Sequence, residues 1–351
     1  MVNMRSEGYE MLAISSPGKE LDFLQKEGFH CVEVPMERHI SVLKDFRSLV
    51  SMIWVLRKER PQMIHSMTPK AGLVSMVAGW LTGVPIRVHT FTGLVWPTSS
   101  GFKRKLLMFT DRLTCACATH IIPEGKGVMN DLINGHITRK SMRVLGYGNI
   151  RGVDLERFNP SRFDKTDEGK FKFLFVGRIV GDKGINELVE AFVRLNAEFS
   201  DILLNLVGSS EPEFDPLKTE TLRLIEECPA IVSNGPKKED DLVKEYTDSD
   251  CFVFPSYREG FPNTVLEAGA MGLPCIVTDI NGCNEIIEEE ENGLIIPSKD
   301  TGALYDAMKT MLTSDEKRMR MSRIARPMIA ARFDKDFVQK CQMEFYKELL
   351  G

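Results

Sequence analysis

Residues 171–184 read FKFLFVGRIVGDKG, and this stretch decides the fold. Five of the first six side chains are apolar, and a run this short and this apolar reads as a strand buried on both faces. Gly177 ends it. Gly181 and Gly184 then bracket Asp182 and Lys183, and an apolar period of three to four residues runs on from Ile185, so a helix follows a glycine-rich turn. Strand, turn and helix make the repeating unit of a parallel α/β sheet.

The same unit recurs on both sides of this stretch. Later strands are expected at 202–207, 230–233, 251–255, 274–278 and 294–297; earlier ones at 9–14, 31–34, 62–66, 86–90, 120–122 and 142–145. Helical patterns fill the intervals, among them 43–57, 71–81 and 103–115. A doubly wound sheet rarely uses more than about six such units, so two series mean two Rossmann-like domains facing a central cleft. The length of 351 residues agrees with two domains. The expected ranges are 1–160, 161–333 and a last helical stretch, 334–351, that packs back on the first domain or stays on its own. The expected linker is 152–170.

Composition excludes several classes. Hydrophobic residues make up 43% and charged residues 27%, ordinary values for a globular chain and wrong for disordered or collagen-like ones. No apolar run reaches the ~20 residues of a membrane-spanning helix, and the N-terminus leads into no apolar signal region. The eight cysteines are scattered; Cys115 and Cys117 lack a second pair at zinc spacing, so free thiols and no structural metal are expected. The net charge of −5 hides an asymmetry: 23 Lys and Arg against 15 Asp and Glu in residues 1–165, and 22 against 35 in residues 166–351, giving +8 and −13. A basic half favours anionic partners. Nucleic acid is disfavoured because no binding motif accompanies the charge.

Two constellations carry chemistry. Gly177, Arg178 and Lys183 gather backbone amides and two cations at one strand-to-helix turn, which suits an anionic phosphate and equally an ordinary surface turn. The second is EGFPNTVLE at 259–267. Gly260, Phe261 and Pro262 form a tight turn into a helix begun by Asn263 and Thr264. Glu259 precedes that helix and Glu267 lies within it, followed by the small-residue run 268–272, where a solvated charge is out of place. The pair fits a sugar and a ribose diol better than it fits a solvated helix face.

With Arg178, Lys183, the Glu259 to Glu267 spacing, PCIVTD at 274–279 and NEII at 284–287 in order, the sequence resembles the donor half of family 4 retaining glycosyltransferases of the GT-B fold. The likeness spans nearly the whole chain. In the first half IHSMTPKAGL at 64–73 and VHTFTGLVW at 88–96 resemble the subgroup that builds bacterial capsular polysaccharide and lipid-linked oligosaccharide, the diacetylbacillosaminyl transferase-like enzymes.

The resemblance implies roles. Arg178 and Lys183 neutralise a donor diphosphate without metal or cofactor, and Glu259 contacts the transferred sugar. Gly177 and residues Gly260, Phe261, Pro262, Asn263 and Thr264 line the donor, of UDP or GDP type. Glu267 holds the ribose, while Gly282 lies near the nucleotide and Glu285 has no assigned role. His65, Lys70, His89, Thr92 and Gly93 fall on the acceptor side, the acceptor being a saccharide or a polyprenyl-diphosphate-linked one. The chain departs from the family where Thr92 stands at the position of a common histidine, with His89 upstream and as well read as a buried structural residue. Residues 1–8 read as only the tail of a first helix, so the first domain is expected to lack its first β–α unit and to transfer sugar poorly.

Trp96 and the cations and aromatics of 102–112 suit contact with an anionic membrane surface and equally an ordinary amphipathic helix with a solvated face, so a cytoplasmic protein is expected, peripheral on the inner face of the membrane in the first case. Two other functions share these features: a sugar-nucleotide epimerase and a non-catalytic nucleotide-sugar-binding subunit.

Overall fold

The protein is seen as a computed structural model that describes residues 1–36, 41–166, 169–213 and 215–351. It divides into two units.

Unit 1 comprises Met1–Glu124, Val128–Leu145 and Lys340–Gly351. A short helix, α1 (Val2–Ser6), precedes β1 (Leu12–Ser15), α2 (Lys19–Lys26) and β2 (His30–Glu33). Then follow α3 (Val42–Glu59), β3 (Met63–Ser66), α4 (Pro69–Thr82), β4 (Ile86–Phe91), α5 (Gly101–Cys117), β5 (His120–Pro123) and α6 (Lys126–Asn134). All ladders are parallel: β1 pairs with β2, and β3-β4-β5 form a second sheet.

Helix α4 is apolar on nearly every side because it lies against both α3 and α5. Pro69 opens it and Gly83, left-handed at φ 74°, ends it, the positions where a missing N–H and a missing Cβ cost nothing. Its Gly72 lets β4 approach: a Cβ there would overlap the His89 ring. The last helix of the chain, α14 (Lys335–Leu350), is counted with unit 1 from Lys340 onward. There Phe345 is buried with Val88, Ile122 and Leu145.

Unit 2 comprises Gly125–Gly127 and Gly146–Gln339. Its six-stranded parallel sheet has the order β11-β10-β9-β6-β7-β8. The strands are β6 (Phe171–Val176), β7 (Ile202–Val207), β8 (Ile231–Gly235), β9 (Cys251–Phe254), β10 (Cys275–Thr278) and β11 (Gly293–Ile296). The helices are α7 (Ile185–Asn196), α8 (Thr219–Glu227), α9 (Glu239–Thr247), α10 (Asn263–Ala270), α11 (Cys283–Ile286), α12 (Thr301–Thr313) and α13 (Asp315–Phe333). Phe173, Phe175, Phe192 and Phe252 are fully buried between the layers, each stabilising by about 2 kcal/mol relative to exposure.

Strands expected at 171–176 and 202–207 are found at those residues. Two expectations need correction. Residues 142–145 form no strand, because Met142 makes a single bridge to Ile121 and the chain then turns through Gly146 and Gly148, both at positive φ. The division between the units falls at 145/146 rather than 160/161. Much of the expected linker is packed on unit 2: Val153 and Phe158 are buried in its core, and the Arg326 guanidinium donates to the carbonyls of Leu155 and Phe158. Residues 167 and 168 of that linker lie outside the described residues.

Candidate active site

In unit 2 the chain starts the sheet at β6, builds β7 and β8 to one side, then crosses over to lay β9, β10 and β11 on the other. The carboxyl ends of β6 and β9 therefore form the switch point at which open parallel sheets bind ligands. Gly177 and Arg178 follow β6, and Ser256 to Pro262 follow β9, so topology alone delivers most expected donor residues to one place.

Local geometry tightens the arrangement. The turn Gly181–Lys183 ends at Gly184, whose φ of +71° suits glycine, and a Cβ at Gly184 would overlap the Pro255 carbonyl oxygen. The turn after β6 is thus pressed onto the end of β9. Replacing Gly184 by alanine should cost about 2–4 kcal/mol through left-handed strain and the backbone clash. Urea unfolding measures this, and an unchanged midpoint would show that the two turns are not tightly seated.

That seating brings Lys183 and Glu259 into a direct ion pair, with side chains 14% and 16% exposed. Ser256 Oγ donates to the same Glu259 Oε1 at 2.9 Å. Asp182 is the second organiser: its carboxylate pairs with Arg258 at 2.9 Å and Arg178 at 3.9 Å, and its carbonyl accepts the Tyr257 N–H at 2.9 Å. Arg178 also reaches Glu211 at 3.4 Å and remains 42% exposed. The result is a cluster of three cations and three acids, in which Lys183 is enclosed and Arg178 faces solvent.

Glu267 stands apart from this cluster, inside α10. It is 7% exposed and accepts the Tyr246 hydroxyl at 3.1 Å. Burial raises its carboxyl pKa, opposed by Arg151, the Tyr246 hydroxyl and Arg157. The same burial, with Glu267 beside it, pushes the Tyr246 phenol well above its ordinary value. At the start of α10, Asn263 Oδ1 accepts from Asn149 Nδ2 at 3.1 Å, the Thr264 carbonyl accepts from Tyr246, and Phe261 is buried against Phe333. Gly282, at φ +75°, fits where a Cβ would overlap the Gly260 carbonyl. Glu285 accepts the backbone N–H groups of Lys126 at 2.6 Å and Gly127 at 3.0 Å.

The candidates of unit 1 form a separate group. His65 shares hydrogen bonds with Tyr346 at 2.6 Å and Thr90 at 2.7 Å, so both ring nitrogens have protein partners. His89 is buried and bonded to Ser66 Oγ at 2.9 Å. Burial lowers their pKa values to about 4 and about 3, which keeps both rings neutral. Lys70 pairs with Asp45 at 2.8 Å, Thr92 donates to the Met67 carbonyl at 2.9 Å, and Gly93 has a φ of 135°. Trp96, expected with the membrane-facing residues, is instead buried in the core of unit 1 at 4% exposure.

Ser256, Asp182, Arg258 and Tyr246 went unassigned in the sequence. Asp182 lies inside the glycine-rich turn already singled out and Ser256 three residues before Glu259, so adjacency was a usable signal; Tyr246, 21 residues from Glu267 in sequence, offered none. No group of three or more His, Cys, Asp or Glu side chains able to hold a metal occurs among the described residues.

A two-unit parallel α/β chain with a cluster of paired cations and acids at the switch point of the six-stranded sheet of unit 2 is the form of a GT-B glycosyltransferase. Comparison with known proteins agrees. Residues 158–328 match the family described as glycosyl transferases group 1, and residues 1–148 match the glycosyl transferase 4-like domain. The chain is similar to the capsular polysaccharide biosynthesis glycosyltransferase CapM of Staphylococcus aureus, at 29% identity over 99% of this chain and 92% of the relative. It is 30% identical to the UDP-Gal:alpha-D-GlcNAc-diphosphoundecaprenol alpha-1,3-galactosyltransferase of Escherichia coli, over 85% of this chain and 78% of the relative. The crystal structure of a glycosyltransferase from Rickettsia africae superposes with a TM-score of 0.79 at 19% identity, covering 99% of this chain and 92% of that one. The chain belongs to the family 4 glycosyltransferases, and nothing in these likenesses favours an epimerase.

Proposed function

We propose that this glycosyltransferase retains the anomeric configuration while moving a sugar from a nucleoside-diphosphate donor, of UDP type, to a polyprenyl-diphosphate-linked saccharide. The observation that carries the reading is the enclosed Lys183–Glu259 pair beside the exposed Arg178 at the β6/β9 switch point. A diphosphate entering there competes with Glu259 for Lys183. Released from the lysine, the carboxylate accepts hydroxyls of the transferred sugar, and Arg178 and Lys183 stabilise charge as the diphosphate leaves. Glu267 takes the ribose diol, and the amides around Gly260 to Thr264 lie along the sugar and phosphate. The UDP choice and the lipid-linked acceptor are supported by the relatives, one of which is named for a UDP-galactose donor and an undecaprenol-linked acceptor.

Because two side-chain cations supply the charge, turnover is expected to persist in chelator. The acceptor would place the protein on the inner face of a membrane, with the exposed Phe102, Phe109 and cations 103–105 of α5 as one point of contact. No described helix is long and apolar enough to cross a membrane. A thermal-shift screen of UDP-, GDP- and ADP-sugars tests the donor: a shift confined to UDP-sugars is expected, and a GDP- or ADP-specific shift rejects that base. Nuclear magnetic resonance of donor incubated alone should show no epimer.

A further inference from the structure

Helix α3 carries a surface that neither the donor site nor the core uses. Ser48, Met52 and Leu56, at four-residue spacing, are buried and Met52 and Leu56 join Val34, Val74 and Ala78 in a small core. The opposite face holds Leu43, Phe46, Val50 and Trp54, which recur every three or four residues and so form one stripe. They are 78%, 63%, 37% and 69% exposed. Four large apolar side chains on one exposed helical stripe are far more than scattered surface residues require. Trp80 and Leu81 at the end of the neighbouring α4 are also exposed.

Charge identifies the occupant. Arg47, Arg57 and Lys58 lie on the exposed side of α3 among the stripe residues. Its acids do not: Asp45 is drawn to Lys70 at 2.8 Å, and Glu59 is 20% exposed, between His30 and Lys58 at 3.8 Å each. An outward face with apolar residues, cations and no exposed acid suits the headgroup boundary of an anionic bilayer. It suits a second copy of the chain poorly, since a twofold contact would bring like cations together.

We propose that α3 lies in the interfacial plane of an anionic membrane, its Leu43/Phe46/Val50/Trp54 stripe inserted and Arg47, Arg57 and Lys58 on the phospholipid headgroups. This deepens the membrane-side reading of the acceptor and moves the main contact from α5 to α3. It is tested without donor or acceptor, so loss of vesicle binding and loss of sugar transfer remain separate results.

The full chain is sedimented with vesicles of phosphatidylglycerol and phosphatidylcholine, and with phosphatidylcholine alone. Binding is expected only to the anionic vesicles, with a blue shift of tryptophan emission that disappears in Trp54→Phe. Phe46→Ser/Trp54→Ser should lower partitioning at least tenfold. Arg47→Gln/Arg57→Gln/Lys58→Gln should lower it about five-fold per cation. All these side chains are solvent-exposed, so circular dichroism and the thermal midpoint should stay unchanged. Wild-type binding by both α3 variants, or no binding by the parent chain, overturns the proposal. A dimer that the Phe46→Ser/Trp54→Ser change converts to monomer overturns it in favour of self-association, and capture by an acidic protein with no vesicle binding overturns it in favour of that partner.

Discussion

Replacing Lys183 by methionine is expected to lower kcat for sugar transfer about 10²- to 10³-fold, the usual effect of removing one preorganised group that stabilises developing charge. The same change leaves Glu259 enclosed with its cation gone, and an uncompensated buried carboxylate destabilises by up to ~3–5 kcal/mol. Stability and catalysis can be separated with the double variant Lys183→Met/Glu259→Gln. It removes both charges together, so it should recover much of the thermal midpoint lost by Lys183→Met and none of the turnover. If the double variant recovers turnover as well, Lys183 serves only to neutralise Glu259, and its proposed role on the diphosphate is wrong. Arg178→Gln offers the contrast: 42% exposed and held by Glu211 and Asp182, it should change stability little and act mainly through donor KM and kcat.

The unequal enclosure of these two cations was not visible in the sequence, although both residues were. Strands such as β6 and β7 were legible to the residue because burial on both faces writes an unbroken apolar run. The segment 142–145 has a similar local composition and forms no strand, since pairing depends on a neighbour that propensity does not see. Likewise 152–170 looks like a linker from its Pro, Ser and charged residues, yet Val153, Phe158 and the carbonyls held by Arg326 bind it to unit 2. At the site, spacing named Glu259 and Glu267 but not their partners. Lys183, Ser256 and Tyr246 reach them only because β6, α9 and the turn after β9 meet in the folded sheet. Trp96 shows the limit from the other side: in a run of aromatics and cations it reads as surface, and it is core.

Glu267→Gln should stabilise the free protein at neutral pH while weakening donor binding about 10- to 100-fold, the value of charge-assisted hydrogen bonds to a ribose diol. The sign follows from burial. Desolvation raises the carboxyl pKa of folded Glu267 above its ordinary 4.5, so between the two values the folded chain holds more protons than the unfolded chain. Stability then falls as pH rises through that window, and the cost persists above it. Glutamine has no proton to lose. The variant and parent should unfold at similar temperatures below the window, and the variant should be the more stable above it. Tyr246 continues to find an acceptor in the Thr264 carbonyl at 3.3 Å, which limits any penalty from the substitution. The opposite changes in stability and affinity distinguish a ligand-binding carboxylate from a structural one: if Glu267 serves only to anchor Tyr246, glutamine should leave donor affinity untouched. Isothermal titration with UDP, alongside thermal unfolding across pH 4 to 8, measures both. In the proposed donor role, the buried acid that costs stability in the free protein would be repaid by a diol, whose two hydroxyls would add to the hydrogen bond Glu267 already accepts from Tyr246.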